Sequence, residues 1–159
     1  MSPEDWIRID MEVDKLKSHL ATGQSLLEKI RNTTPDPLEL MALCALLHGF
    51  YTGIENICRG IALNFGEMAG INKAAEGWHQ QLLTGLKDAT AKRPALLSEE
   101  LYFILLEYLR FRHVFRHAYQ QEIRWIRMKQ LTINVHQTLE RFICELNTFR
   151  NKIGSLKES

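Results

Sequence analysis

Asp36-Pro-Leu-Glu-Leu-Met-Ala-Leu-Cys-Ala-Leu-Leu-His-Gly-Phe-Tyr-Thr-Gly-Ile-Glu-Asn-Ile-Cys-Arg-Gly-Ile61 decides the fold. Asp36 can cap a helix and Pro37 fits its first turn, since proline lacks only an N–H that the turn leaves unused. Beyond them the apolar side chains (Leu38, Leu40, Met41, Leu43, Cys44, Leu46, Leu47, Phe50, Tyr51, Ile54, Ile57 and Ile61) fall on almost every face. A helix apolar all round is either central to a domain or shared with another subunit.

Other helices read outward from this one. Upstream, Ser2-Pro3-Glu4-Asp5 is a cap with acids at the positive end of the helix dipole. It opens a helix carrying Trp6, Ile9, Val13, Leu16, Leu20, Leu27 and Ile30 at mostly three- and four-residue spacing, ending before Asn32-Thr-Thr-Pro35. Downstream, residues 66–73 read as a connection. A third helix spans about residues 75–91 with Trp78, Leu82, Leu83 and Leu86 on one stripe, and Lys92-Arg93-Pro94 breaks it. Ser98-Glu99-Glu100 starts a fourth, and Trp125 to Leu146 form a fifth. These spacings predict an all-α, five-helix bundle as one domain over residues 1–159, with a short polar tail after about 151.

Composition narrows the class. Hydrophobic content of 45% and charged content of 25% are ordinary for a globular domain. No unbroken apolar run reaches the ~20 residues of a membrane span, and the acidic N-terminus is unlike a secretory leader, so no membrane partner is expected. Cys44 and Cys58 lie roughly 21 Å apart along one helix, too far for a disulfide, and the three cysteines read as buried thiols of a cytoplasmic protein.

Charge is uneven. Between Glu107 and Lys129 six basic side chains stand against two acids, a local +4 on a chain of net +1. Such a patch points to a localised anionic partner, or else to a solvated helix face.

Within that patch lies Tyr108-Leu-Arg-Phe-Arg-His-Val-Phe-Arg-His-Ala-Tyr119. An imidazole that shuttles a proton beside a guanidinium that holds a phosphate is a minimal kit for metal-free RNA cleavage. On an ideal helix Arg112 and His117 are about 140° apart, so one site needs either a broken helix or residues from a second chain. Both options point to a two-fold interface. Arg112, Arg116 and Tyr119 instead fall within about 60°, a phosphate or nucleotide cradle. His113 and His117 are spaced as metal ligands, but no cysteine or carboxylate nearby completes a set and the arginines repel a cation.

Arg112-x4-His117-x-Tyr119 resembles the R-x4-H-x-Y signature of the HEPN superfamily, and specifically the HepT-like ribonuclease toxins. His113 fits, because that family commonly has Asn, Asp or His directly after the arginine. The segment reads Arg-His-Val-Phe-Arg-His where Arg-Asn-x-Leu-Val-His is more usual. The resemblance implies a symmetric homodimer and a metal-independent endoribonuclease without cofactor, acting on RNA, including tRNA. It implies a type VII-like toxin–antitoxin pair, in which a minimal nucleotidyltransferase (MNT) antitoxin places AMP on Tyr119. In this scheme His117 moves the proton and Arg112 stabilises the phosphate. His113 orients His117 or supplies a second acid/base group, and Arg116 binds a flanking phosphate.

Glu55 interrupts the apolar second helix. It reads either as the i,i+4 partner of Arg59 or as the group that orients an arginine of the motif. Trp78-His79 reads as core plus surface, His48 as a core histidine, and His19 and His136 as solvent-facing. Two other classes stay open: a non-catalytic HEPN module that binds a nucleotide or a protein, and a helical adaptor.

Overall fold

A computed structural model describes residues 1–72, 74, 77–117 and 124–157, with the side chains of all but residues 116, 117 and 157. The described residues are all-α without a strand, as predicted, but they form seven α-helices rather than five: α1 Pro3–Thr22, α2 Gln24–Lys29, α3 Pro37–Asn64, α4 Trp78–Lys87, α5 Glu99–His117, α6 Trp125–Ile133 and α7 Val135–Lys157. The expected first helix divides at Gly23 and the expected fifth at Asn134. In both cases apolar spacing runs on across a one-residue break (Leu20 to Leu27, Leu131 to Val135), so periodicity could not see the division. The connection at 66–73 holds a short 3-10 turn, Glu67–Gly70. The C-terminal segment stays helical to Lys157 and buries Ile153.

Two helix starts form as read. Ser2 and Asp36 each accept from the backbone N–H three residues on, and the acids Asp5 and Glu39 reach back to the cap backbone. These reciprocal bonds satisfy donors that a helix start leaves open.

The central position of α3 is plain from its neighbours: it packs on α1, α4, α5 and α6 and buries twelve of its residues. An 18-residue window of α3 averages a hydropathy of 1.3, so by length and composition this helix could cross a membrane even without an unbroken apolar run. Here the other helices cover part of its girth, while Leu38, Met41 and Leu63 remain exposed. Two glycines bring α1 close to it. A Cβ on Gly53 would stand 2.4 Å from Leu16, and one on Gly49 would stand 2.5 Å from the His19 ring. His19 is thus wedged between helices and bonded to the Leu46 carbonyl at 2.9 Å, not solvent-facing. His136 bonds to Gln24 at 2.8 Å at the exposed surface.

The rest of the bundle closes on α5. Tyr108 lies edge-on to Phe50, with centroids 5.1 Å apart, and donates its hydroxyl to the Leu131 carbonyl at 2.8 Å. At the far end Phe149 of α7 meets Trp6 and Phe65. Cys44 and Cys58 are buried, but Cys144 is exposed, contrary to the expectation of three buried thiols.

Candidate active site

The helix that carries the motif is fixed before the motif begins. Ser98 caps α5, its Oγ accepting from Leu101 N at 3.1 Å. Leu101, Leu105 and Tyr108 then anchor it in the core. It runs unbroken through position 117, so positions 112 and 117 remain about 140° apart around its axis. The side chains of Arg116 and His117, and Tyr119 entirely, lie outside the described residues.

Arg112 does not point into solvent. Its side chain is only 13% exposed, and its guanidinium carbon lies 5.9 Å from the centre of the Tyr51 ring, at the outer reach of a cation–π contact. Nη1 stands 3.7 Å from Glu55 Oε2 and 3.2 Å from both ring nitrogens of His79. Its buried Nε has no hydrogen-bond acceptor among the described residues.

Glu55 is itself buried, at 6% exposure. A carboxylate there is costly unless paired and hydrogen-bonded. Its partner is not Arg59, which turns to Asn56 at 3.3 Å; Glu55 accepts instead from His79 Nδ1 at 2.5 Å. Arg112 Nη1, equally close to both ring nitrogens, lies against the imidazole rather than in line with either nitrogen. One turn before Glu55, the Tyr51 hydroxyl is buried beside that carboxylate. Burial, with Glu55 adding to it, pushes that phenol well above its ordinary pKa, so Tyr51 stays protonated.

His79 is the residue that sequence reasoning missed. It is the second residue of α4, which starts where Gly77 turns the chain through φ 88, a left-handed conformation that glycine adopts without strain. The Trp78 indole lies on the imidazole, with centroids 3.8 Å apart. No spacing rule ties a histidine to an arginine 33 residues away, so nothing in the sequence marks the pair.

Beside this cluster, α4 and α5 enclose a cleft of about 430 Å³, lined by His79 and Gln80 on one side and by Leu106, Leu109, Arg110 and His113 on the other. His113 therefore faces this cleft, while Arg112 turns inward. Phe111 and Phe115 stack on each other, 6.2 Å apart, and Phe115 meets His48, so both serve packing.

The family model for HepT-like proteins matches residues 42–153, more than two thirds of the chain. The chain belongs to the HepT-like family. The HepT-like match takes in Glu55, His79 and Arg112 together with the whole of the motif, and it starts within α3, after α1 and α2. No curated protein and no solved structure matches the chain. As a HepT-like member of the HEPN superfamily, it belongs among toxin-type, ribonuclease-related proteins.

Proposed function

We propose that this HepT-like protein is the toxin of a type VII-like toxin–antitoxin pair, a metal-independent endoribonuclease acting on RNA, with tRNA as the expected target. The observation that carries the reading is Arg112: a guanidinium withdrawn from water, held by Glu55 and His79, with a buried Nε that lacks an acceptor among the described residues. An unmet buried donor costs about 1–3 kcal/mol. A guanidinium held in this way is a preorganised cation of the kind that developing phosphate charge needs.

In this reading His117 removes the ribose 2′-OH proton or protonates the departing 5′-oxygen. The 2′-oxygen bonds to phosphorus, the bond from phosphorus to the 5′-oxygen breaks, and a 2′,3′-cyclic phosphate results. The 140° between positions 112 and 117 on an unbroken helix supports a cleft completed by a second chain in a symmetric dimer. The antitoxin is an MNT-type nucleotidyltransferase. The Tyr119 oxygen attacks the α-phosphorus of ATP, pyrophosphate leaves, and the bound AMP fills the cleft with bulk and negative charge. Arg116 would hold a flanking phosphate.

The ion pair of Glu55 with Arg112 also favours a second reading, a non-catalytic module that binds nucleotide or protein, because the pair alone accounts for a buried arginine. Cleavage of total tRNA in EDTA separates the two. Wild-type protein is expected to cut, while Arg112→Ala and His117→Ala are not. Intact RNA from a chain whose mass excludes AMP on Tyr119 would favour the binding module.

A further inference from the structure

Glu55 alone cannot aim Arg112. At 3.7 Å the carboxylate is beyond hydrogen-bond range of Nη1, so it attracts the guanidinium as a charge without fixing its plane. His79 closes the gap. Its Nδ1 meets Glu55 Oε2 at 2.5 Å, and Arg112 Nη1 lies against the ring, 3.2 Å from both Nδ1 and Nε2. The ring is itself held, by Trp78 lying against it and by a side chain only 20% exposed. Carboxylate, imidazole and guanidinium thus form a chain from α3 through α4 to α5.

We infer that His79 is a positioning residue of this site: it carries the hold of Glu55 across to Arg112 and sets the plane in which the guanidinium is held for a phosphodiester. The inference rests on the ribonuclease reading of Arg112 and adds to it a residue from outside the motif. A displacement of about 1 Å at a charge-stabilising group can lower rate on the order of 100-fold. Loss of the imidazole therefore lowers kcat while leaving KM near its original value, since most of the RNA contact surface is untouched.

Two substitutions separate positioning from bulk. His79→Leu keeps a side chain of similar bulk but removes the bond to Glu55 and the polar ring against which the Arg112 guanidinium lies. His79→Gln keeps an amide donor for Glu55 and a carbonyl acceptor for Arg112. In tRNA cleavage, His79→Leu is expected to lose about 10- to 100-fold in kcat with KM within about threefold of wild type, and His79→Gln to recover most of that loss. The NMR signal of the Arg112 Nε–Hε group gives a readout free of catalysis: it shifts in His79→Leu and stays near the wild-type position in His79→Gln. Wild-type rates in His79→Leu, or an Arg112 signal that does not move, overturn the assignment. If the wild-type protein cuts no RNA, the ribonuclease reading falls, and the Arg112 signal alone then decides whether His79 positions it.

Discussion

Arg93 grips Glu67 through two nitrogens, Nε at 3.0 Å and Nη2 at 2.7 Å, and spends its other bonds on backbone carbonyls of Gly85, Asp88 and Pro94. It is only 2% exposed. The arginine thereby ties the end of α4 to the turn after α3 and supplies donors to carbonyls that a helix end leaves open. A guanidinium has the fork of donors for this; an ammonium does not. Arg93→Lys is therefore expected to destabilise the protein nearly as much as Arg93→Ala, by roughly 3–5 kcal/mol. Urea unfolding of the two variants measures it, and a lysine variant at wild-type stability would refute the argument.

Gly53 and Gly60 offer opposite outcomes for the same substitution. In a helix interior alanine is favoured over glycine by about 1 kcal/mol. A Cβ at Gly60 meets nothing within 4 Å, so Gly60→Ala should gain stability of that order. A Cβ at Gly53 meets buried Leu16 at 2.4 Å, and overpacking of this kind costs about 1–3 kcal/mol. Gly53→Ala should lower the Tm where Gly60→Ala raises it, as calorimetry would read.

Burial raises the Cys44 thiol to about 11 and pushes Cys58 up as well. Since the thiolate is the reactive form, neither should react at pH 8 in the folded protein. Exposed Cys144 should. An aromatic disulfide reagent should therefore titrate one thiol in native protein, none in Cys144→Ser, and three after denaturation. Rapid labelling of a second thiol in the native wild type would contradict the burial of the α3 cysteines.

Acid should weaken two surface links. The hydrogen bond from Arg141 holds the Glu100 carboxyl below its ordinary pKa, and the bond from Lys29, with help from the Asp36 backbone, does the same for Glu39. Carboxyls lowered in the folded state stabilise it above the unfolded value, about 4.3, and lose that contribution as pH falls through the folded value. The double variant Glu39→Gln/Glu100→Gln should melt below wild type at pH 7 and draw level towards pH 3. A Tm gap that persists unchanged at pH 3 would rule this out.

Much of the fold could be read from the chain because helix starts and buried stripes are local. Ser2, Asp36 and Ser98 cap where their chemistry says they should, and the apolar girth of Pro37–Asn64 marks the central helix. Long-range pairing is what spacing leaves undecided. Arg93 reads as part of a helix breaker, yet it is a buried latch, because its acceptors come from the turn after α3, the end of α4 and the neighbouring Pro94. Glu55 has a basic residue four positions on, but the helix turns Arg59 to Asn56 and gives Glu55 to His79 and Arg112. The arginine of the motif was legible from its neighbours in sequence; the histidine beside it was not, because only the packing of α4 between α3 and α5 brings it there.

The order in which the chain is made gives the apolar α3 a further consequence. Synthesis completes α3 some 35 residues before α5 begins, so the nascent helix has only α1 and α2 to lie against when it leaves the ribosome. During that interval the apolar side chains that later pack against α4, α5 and α6 stay uncovered. The same delay keeps Glu55 without its arginine until more than fifty further residues have been added. A nascent fragment that ends before Arg112 therefore has no assembled cluster of Glu55, His79 and Arg112, which forms only once α4 and α5 have docked on α3.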